Sequence, residues 1–148
     1  MYKIKRINRE NFKSFGWIIE YPRNKSYERR KNLFTEVIKE PGRVGWRIAY
    51  LIVRDKVITR LEKHPHAFES FEPVSGSSLL YLARVKEPGR IRCFYLDKPV
   101  VLKKGIWHGV LTLGKESEIK ITENAEVECK YWQLSFIIDG KAKRLKKV

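Results

Sequence analysis

The chain holds three histidines, and two of them form His64-Pro65-His66. On an extended strand, positions i and i+2 project from one face, so both rings would meet one ligand. The same parity adds Arg60 and Glu62, giving Arg60, Glu62, His64 and His66 in one row, with Val57, Thr59 and Leu61 turned the other way. Such a titratable row suits a lined cavity better than a packed core. Downstream residues extend the pattern to His-x-His-x2-Glu-x6-Gly, ending on Glu69 and Gly76, and the third histidine closes Gly105-Ile106-Trp107-His108. His64, His66 and His108 with a carboxylate oxygen of Glu69 make a divalent-metal set that suits Ni, Zn, Fe or Mn without choosing among them. Strict alternation turns Glu69 away from His66, so its ligation requires a bulge. Glu62, beside His64 on the cavity face, is the candidate general base. Arg60 offers a planar, bidentate match to a substrate carboxylate. Lys104 and Trp107, flanking His108, complete the candidate substrate contacts, although Trp107 reads first as a packing residue.

The elements that must position these groups are strands. Period-two alternation dominates from Trp46 onward and helical periodicity is nearly absent. Strands are expected at 2–7, 17–21, 33–38, 46–54, 56–63, 78–85, 91–96, 99–103, 107–113, 117–122 and 126–138, and a short helical turn at 9–15 with Asn8 as its cap. Breaks carry turn chemistry at Pro41-Gly42, Pro88-Gly89, Lys104-Gly105 and Asp139-Gly140. Lys-Glu-Pro-Gly-Arg occurs at both 39–43 and 86–90, but the flanks do not match, so it marks two turns rather than a duplication. Many short strands at this spacing imply an all-β sandwich or small barrel.

With 148 residues, 43% hydrophobic and 33% charged, the chain reads as one domain over 1–148 with a basic tail at 140–148. Its longest apolar runs, such as 48–53, are far short of a membrane span. The start shows no secretory signal, so a cytoplasmic location is expected, and Cys93 and Cys129 read as reduced core thiols. The net charge of +15 brings nucleic acid into consideration. The basic residues concentrate at 23–31 and at the C-terminus without interleaved exposed aromatics or a recognition helix. They read as a solvated loop and tail, and no nucleic-acid partner is expected.

The two histidine segments resemble the paired motifs of the cupin superfamily, although Lys103 stands in place of the proline expected two residues before Gly105. A closer resemblance is to the ureidoglycolate lyases. It is carried by Leu61-Glu62-Lys63-His64-Pro65, Phe71-x-Pro73-x2-Gly76 and Gly105-Ile106-Trp107-His108, together with Asn11-Phe12-x2-Phe15-Gly16-x-Ile18-Ile19-Glu20 near the start. The sequence departs from that family at Thr59-Arg60, where it has His-Glu, at Leu102-Lys103, and at Gly109, where it has a second His. The resemblance implies an all-β, cupin-type jelly-roll β-barrel with one short N-terminal helix. It also implies a homodimer, a nickel ion as cofactor, and cleavage of a small carboxylate substrate, ureidoglycolate, to glyoxylate and urea. The alternative is a cupin of different specificity, either a metal-dependent enzyme or a binder of small carboxylates or sugars.

Overall fold

Where a strand has one face on the core, its polar and apolar residues alternate; where both faces are covered, it is apolar throughout. Both cases occur in a computed structural model of the chain, which describes residues 1–22 and 29–147. Strand β10 (Ser117–Asn124) alternates buried and half-buried residues along its whole length, whereas β6 (Ser78–Arg84) is buried at every position but the last.

The other strands are β1 (Ile4–Arg6), β2 (Gly16–Ile18), β3 (Trp46–Val53), β4 (Val57–Lys63), β5 (Glu69–Ser75), β7 (Glu87–Tyr95), β8 (Val100–Leu102), β9 (Trp107–Thr112), β11 (Lys130–Asp139) and β12 (Arg144–Lys146). They form a seven-stranded sheet, β1-β7-β6-β9-β4-β11-β12, and a five-stranded sheet, β2-β8-β5-β10-β3. From β3 to β10 the pairings nest: β6 with β7, β5 with β8, β4 with β9, and β3 with β10. A hairpin folded over itself in this way is the double-sheet jelly roll that cupins share.

The flanking strands widen the sheets. β1 joins β7 in parallel, β2 joins β8, and the β11–β12 hairpin extends beyond β4. The seven-stranded sheet curls until its ends meet, where Tyr2 N–H donates to the Ala142 carbonyl at 2.7 Å. β6 therefore serves two cores. Leu80 and Leu82 join Phe12, Phe94, Leu102 and Ile119 between the sheets, while Leu79, Tyr81 and Ala83 join Leu61, Leu111 and Leu134 on the other side. The one helix among the described residues, α1 (Arg9–Phe12), is shorter than the expected 9–15 and is capped reciprocally by Asn8 and Asn11.

Four expectations are corrected. Residues 33–38 form no strand: Phe34 is 89% exposed and the stretch finds no sheet partner. β5 was not expected, and the turn between β6 and β7 falls at Val85-Lys86, leaving Pro88-Gly89 inside β7. The basic stretch at the C-terminus contributes β12, and residues 23–28 of the other basic cluster lie outside the described residues. Among the described residues, no helix is long and apolar enough to cross a membrane.

Candidate metal centre

β4 ends at Lys63, and the chain turns at Pro65-His66 to leave the seven-stranded sheet and enter the five-stranded one at Glu69. His64 is therefore the last residue before a corner, not the middle of a strand, and strand parity does not reach His66. His64 points between the sheets and is buried. The His66 side chain is 82% exposed, with its Nε2 3.5 Å from a Glu128 carboxylate oxygen, so the expected convergence of three histidines is a convergence of two.

The second imidazole arrives on β9. Gly105, at φ +81°, turns the chain into that strand, and its N–H donates to the His64 carbonyl at 2.8 Å. This bond ties the two histidine segments together. Opposite Glu62 in the sheet register stands His108, whose ring centroid is 5.2 Å from that of His64.

Glu69, at the start of β5, lies between the two rings. One of its oxygens, Oε2, is 3.0 Å from His64 Nε2 and 3.1 Å from His108 Nε2. Each imidazole is oriented from behind: Nδ1 of His108 is 3.0 Å from the Ile106 carbonyl, and Nδ1 of His64 is 3.2 Å from that of Glu128. A carbonyl can only accept, so Nδ1 carries the proton and Nε2 faces the carboxylates. Two further acids close the cluster. Glu62 Oε1 is 3.6 Å from His108 Nε2, and Glu123 Oε2 is 3.9 Å from His64 Nε2, while Arg47 holds the other Glu123 oxygen at 2.6 Å.

Burial opposes the charged form of all three central groups, and their mutual contacts outweigh it. The carboxylates of Glu62 and Glu69 raise the pKa of His108, Glu69 raises that of His64, and the two imidazoles lower that of Glu69. The lowered carboxylate contributes stability that is complete above its ordinary 4.5 and is lost as pH falls through its folded-state value. The raised imidazoles contribute stability that is complete below their ordinary 6.5 and is lost as pH rises through theirs. Metal-free protein should thus melt highest between these two ordinary values. Thermal melts across pH after chelation test this, and a profile flat on the alkaline side would refute it.

Whether these residues suit a metal is answered by their unmet valences. Glu69 Oε2, His108 Nε2 and Glu123 Oε2 are buried and, their ion-pair contacts aside, make no well-formed hydrogen bond among the described residues. Buried polar atoms are normally satisfied, so three together fit an ion. Donor atoms of Glu62, His64 and His108 lie within 4.8 Å of one another, as do those of His64, Glu69 and Glu123. Replacing His66→Ala should leave metal uptake unchanged, as elemental analysis of untagged protein would show.

The cluster opens at Glu62 and His108 onto a cleft of about 270 Å³, which Arg60, Leu51, Gly109 and Tyr131 also line. The Arg60 guanidinium lies 4.4 Å from the centre of the Tyr131 ring. A larger cavity of about 330 Å³ beside α1 holds none of these residues.

Two expected substrate contacts turn away from this cleft. Lys104 is ion-paired with Glu40 and sits over the Phe68 ring, and Trp107 packs on Trp132 under the Lys63 ammonium. Cys93 is buried as expected, but Cys129 is exposed, with Sγ 3.5 Å from His64 Nδ1. Sequence reasoning missed Glu123. Its signal lay in β10, where it occupies the next inward position after Ile119 and Ile121.

No protein family's sequence profile matches the chain, and no curated protein matches it. Among solved structures it is similar to Bacillus subtilis oxalate decarboxylase, both in work on that enzyme's Mn(II) centres and in its structure at pH 4.6. In each case identity is 17% and the TM-score 0.47, and the match covers 62% of this chain and 24% of that one.

Proposed function

We propose that this protein is a divalent-metal-dependent cupin enzyme acting on a small 2-hydroxy carboxylate, and that its reaction is the cleavage of ureidoglycolate to glyoxylate and urea. The observation that carries the metal reading is the buried cluster in which Glu69 Oε2 lies 3.0 Å from His64 Nε2 and 3.1 Å from His108 Nε2, beside an open cleft. His64, Glu69 and His108 would hold the ion, with Glu62 and Glu123 at its margin. Two imidazoles with carboxylate oxygens suit Mn, Fe, Zn or Ni; nickel is the ion the family resemblance implies. A divalent ion held there acidifies a hydroxyl bound to it.

The chain's own groups supply the rest. Arg60 offers two parallel N–H donors to the substrate carboxylate. Glu62 takes the hydroxyl proton, the carbonyl of glyoxylate forms as the C–N bond breaks, and the same proton passes to the departing urea nitrogen. The test is release of glyoxylate and urea from ureidoglycolate by untagged protein of measured metal content. Metal-replete protein without turnover would sink the lyase reading.

A second reading, a cupin of different specificity, is favoured by Gly109. A Cβ there would lie 2.8 Å from Leu61 Cδ2 and 3.3 Å from two Ile58 carbons, so the lyase family's second histidine would require these core side chains to shift.

A further inference from the structure

The five-stranded sheet ends on β3, whose one edge pairs with β10 while no strand among the described residues takes the other. The outward row of this strand is Trp46, Ile48, Tyr50 and Ile52, exposed by 70%, 59%, 56% and 42%. An unprotected edge with a continuous apolar row is a template for pairing, and natural proteins seldom leave one bare. The same row on β10 is polar, with Glu118, Lys120, Thr122 and Asn124 paired to Ile52, Tyr50, Ile48 and Trp46. The apolar row thus stops at the open edge and does not continue onto β10.

We propose that β3 is a homodimer interface, two copies pairing antiparallel, edge to edge, about a two-fold axis through Ala49. Directly opposed residues in an antiparallel pair share a face, so a two-fold axis must pass through a residue position. Centred on Ala49, the pairing sets Trp46 opposite Ile52 and Ile48 opposite Tyr50, each twice, with aromatic against β-branched side chains throughout. On the inner row Arg47 meets Leu51, and no like charges oppose. Shifting the centre to Tyr50 would instead place Trp46 against Arg54.

A strand whose apolar row is complementary to itself fits a second copy of this chain, since isologous interfaces demand that property. Edge-to-edge pairing covers the flanks of these four side chains while their outward faces stay in water, so the interface is a small one in which backbone pairing supplies much of the contact. This surface borders the metal cluster, since Arg47 of β3 pairs with Glu123 and Leu51 lines the cleft, but its test reads oligomeric state and does not depend on the enzymatic reading.

Sedimentation of the untagged full chain at micromolar concentration should give twice the chain mass. Ile48→Lys and Tyr50→Glu, both on the solvent face, should each give folded monomer, with circular dichroism unchanged. An equimolar mixture of the two variants should recover a heterodimer, because the introduced lysine at 48 meets the introduced carboxylate at 50. Mixing Ile48→Lys with Ile52→Glu, which do not oppose each other in this register, should not. A monomeric native chain, or a dimer indifferent to both single variants, would overturn the interface. Recovery by the second mixture and not the first would overturn the register.

Discussion

Substituting Glu69→Gln is expected to lower divalent-metal affinity by at least about 100-fold, more than is typical for loss of an outer-shell partner. One oxygen of this carboxylate lies within 3.1 Å of both His64 Nε2 and His108 Nε2, and it is the negative charge that the two imidazoles share. Glutamine keeps the shape and removes the charge. The same change should destabilise the metal-free protein, because it leaves two buried imidazoles facing no central carboxylate. Breaking a buried ion pair costs about 3–5 kcal/mol when the remaining charge cannot escape. Here the imidazoles escape by losing protons, so the loss should approach that range only below the ordinary imidazole pKa of 6.5 and shrink above it. Elemental analysis and urea unfolding of the variant on both sides of that value check the two statements separately. Unchanged metal content would remove Glu69 from the ligand set, and a pH-independent loss would mean that packing, not charge, holds it in place.

The jelly roll was legible wherever a strand declared itself through its own residues. β10 alternates along its whole length, and β6 carries the apolar run Leu79–Ala83, so both were expected. β5 escaped because Glu-Ser-Phe-Glu-Pro-Val-Ser carries two acids and a proline. Its proline is tolerated because Pro73 pairs with Ile119 beside the register shift against β10, where the ladder is already irregular. Residues 33–38 failed in the opposite way. They have strand-forming residues but no neighbouring strand, and β propensity expresses packing on a partner more than a preference of the backbone.

The site was legible in its residue types and less so in its geometry. His64, Glu69 and His108 were all singled out from spacing. His66 was placed beside them because parity was carried through Pro65, yet the chain turns there, and everything beyond the corner follows the parity of the next sheet. The same corner turns Glu69 inward without the bulge its ligation had required. Glu123 lies 54 residues beyond Glu69 in sequence and 3.9 Å from His64 in space. The pairing of β5 beside β10 in the five-stranded sheet, where Glu123 stands opposite Glu69, brings it there.

Glu62→Gln should separate chemistry from metal binding. Glu62 is the one carboxylate of the cluster that is both near His108 and open to the cleft, and its side chain is 38% exposed where those of Glu69 and Glu123 are buried. Its contact with His108 lowers its pKa, against partial burial, so it is ionised and able to accept a proton at neutral pH. Removing a general base of this kind lowers turnover by about 10²–10⁴-fold. In ureidoglycolate cleavage by metal-replete protein, the loss should fall on kcat, with KM little changed, because the group acts on a proton that moves only as the C–N bond breaks. Arg60→Ala should do the reverse, raising KM through the lost carboxylate clamp while Glu62 remains in place. If Glu62→Gln also empties the site of metal, Glu62 is a ligand, and the base must be sought elsewhere in the cleft. If it changes neither metal content nor kcat, the proton leaves the substrate by another route and the proposed role of Glu62 is wrong.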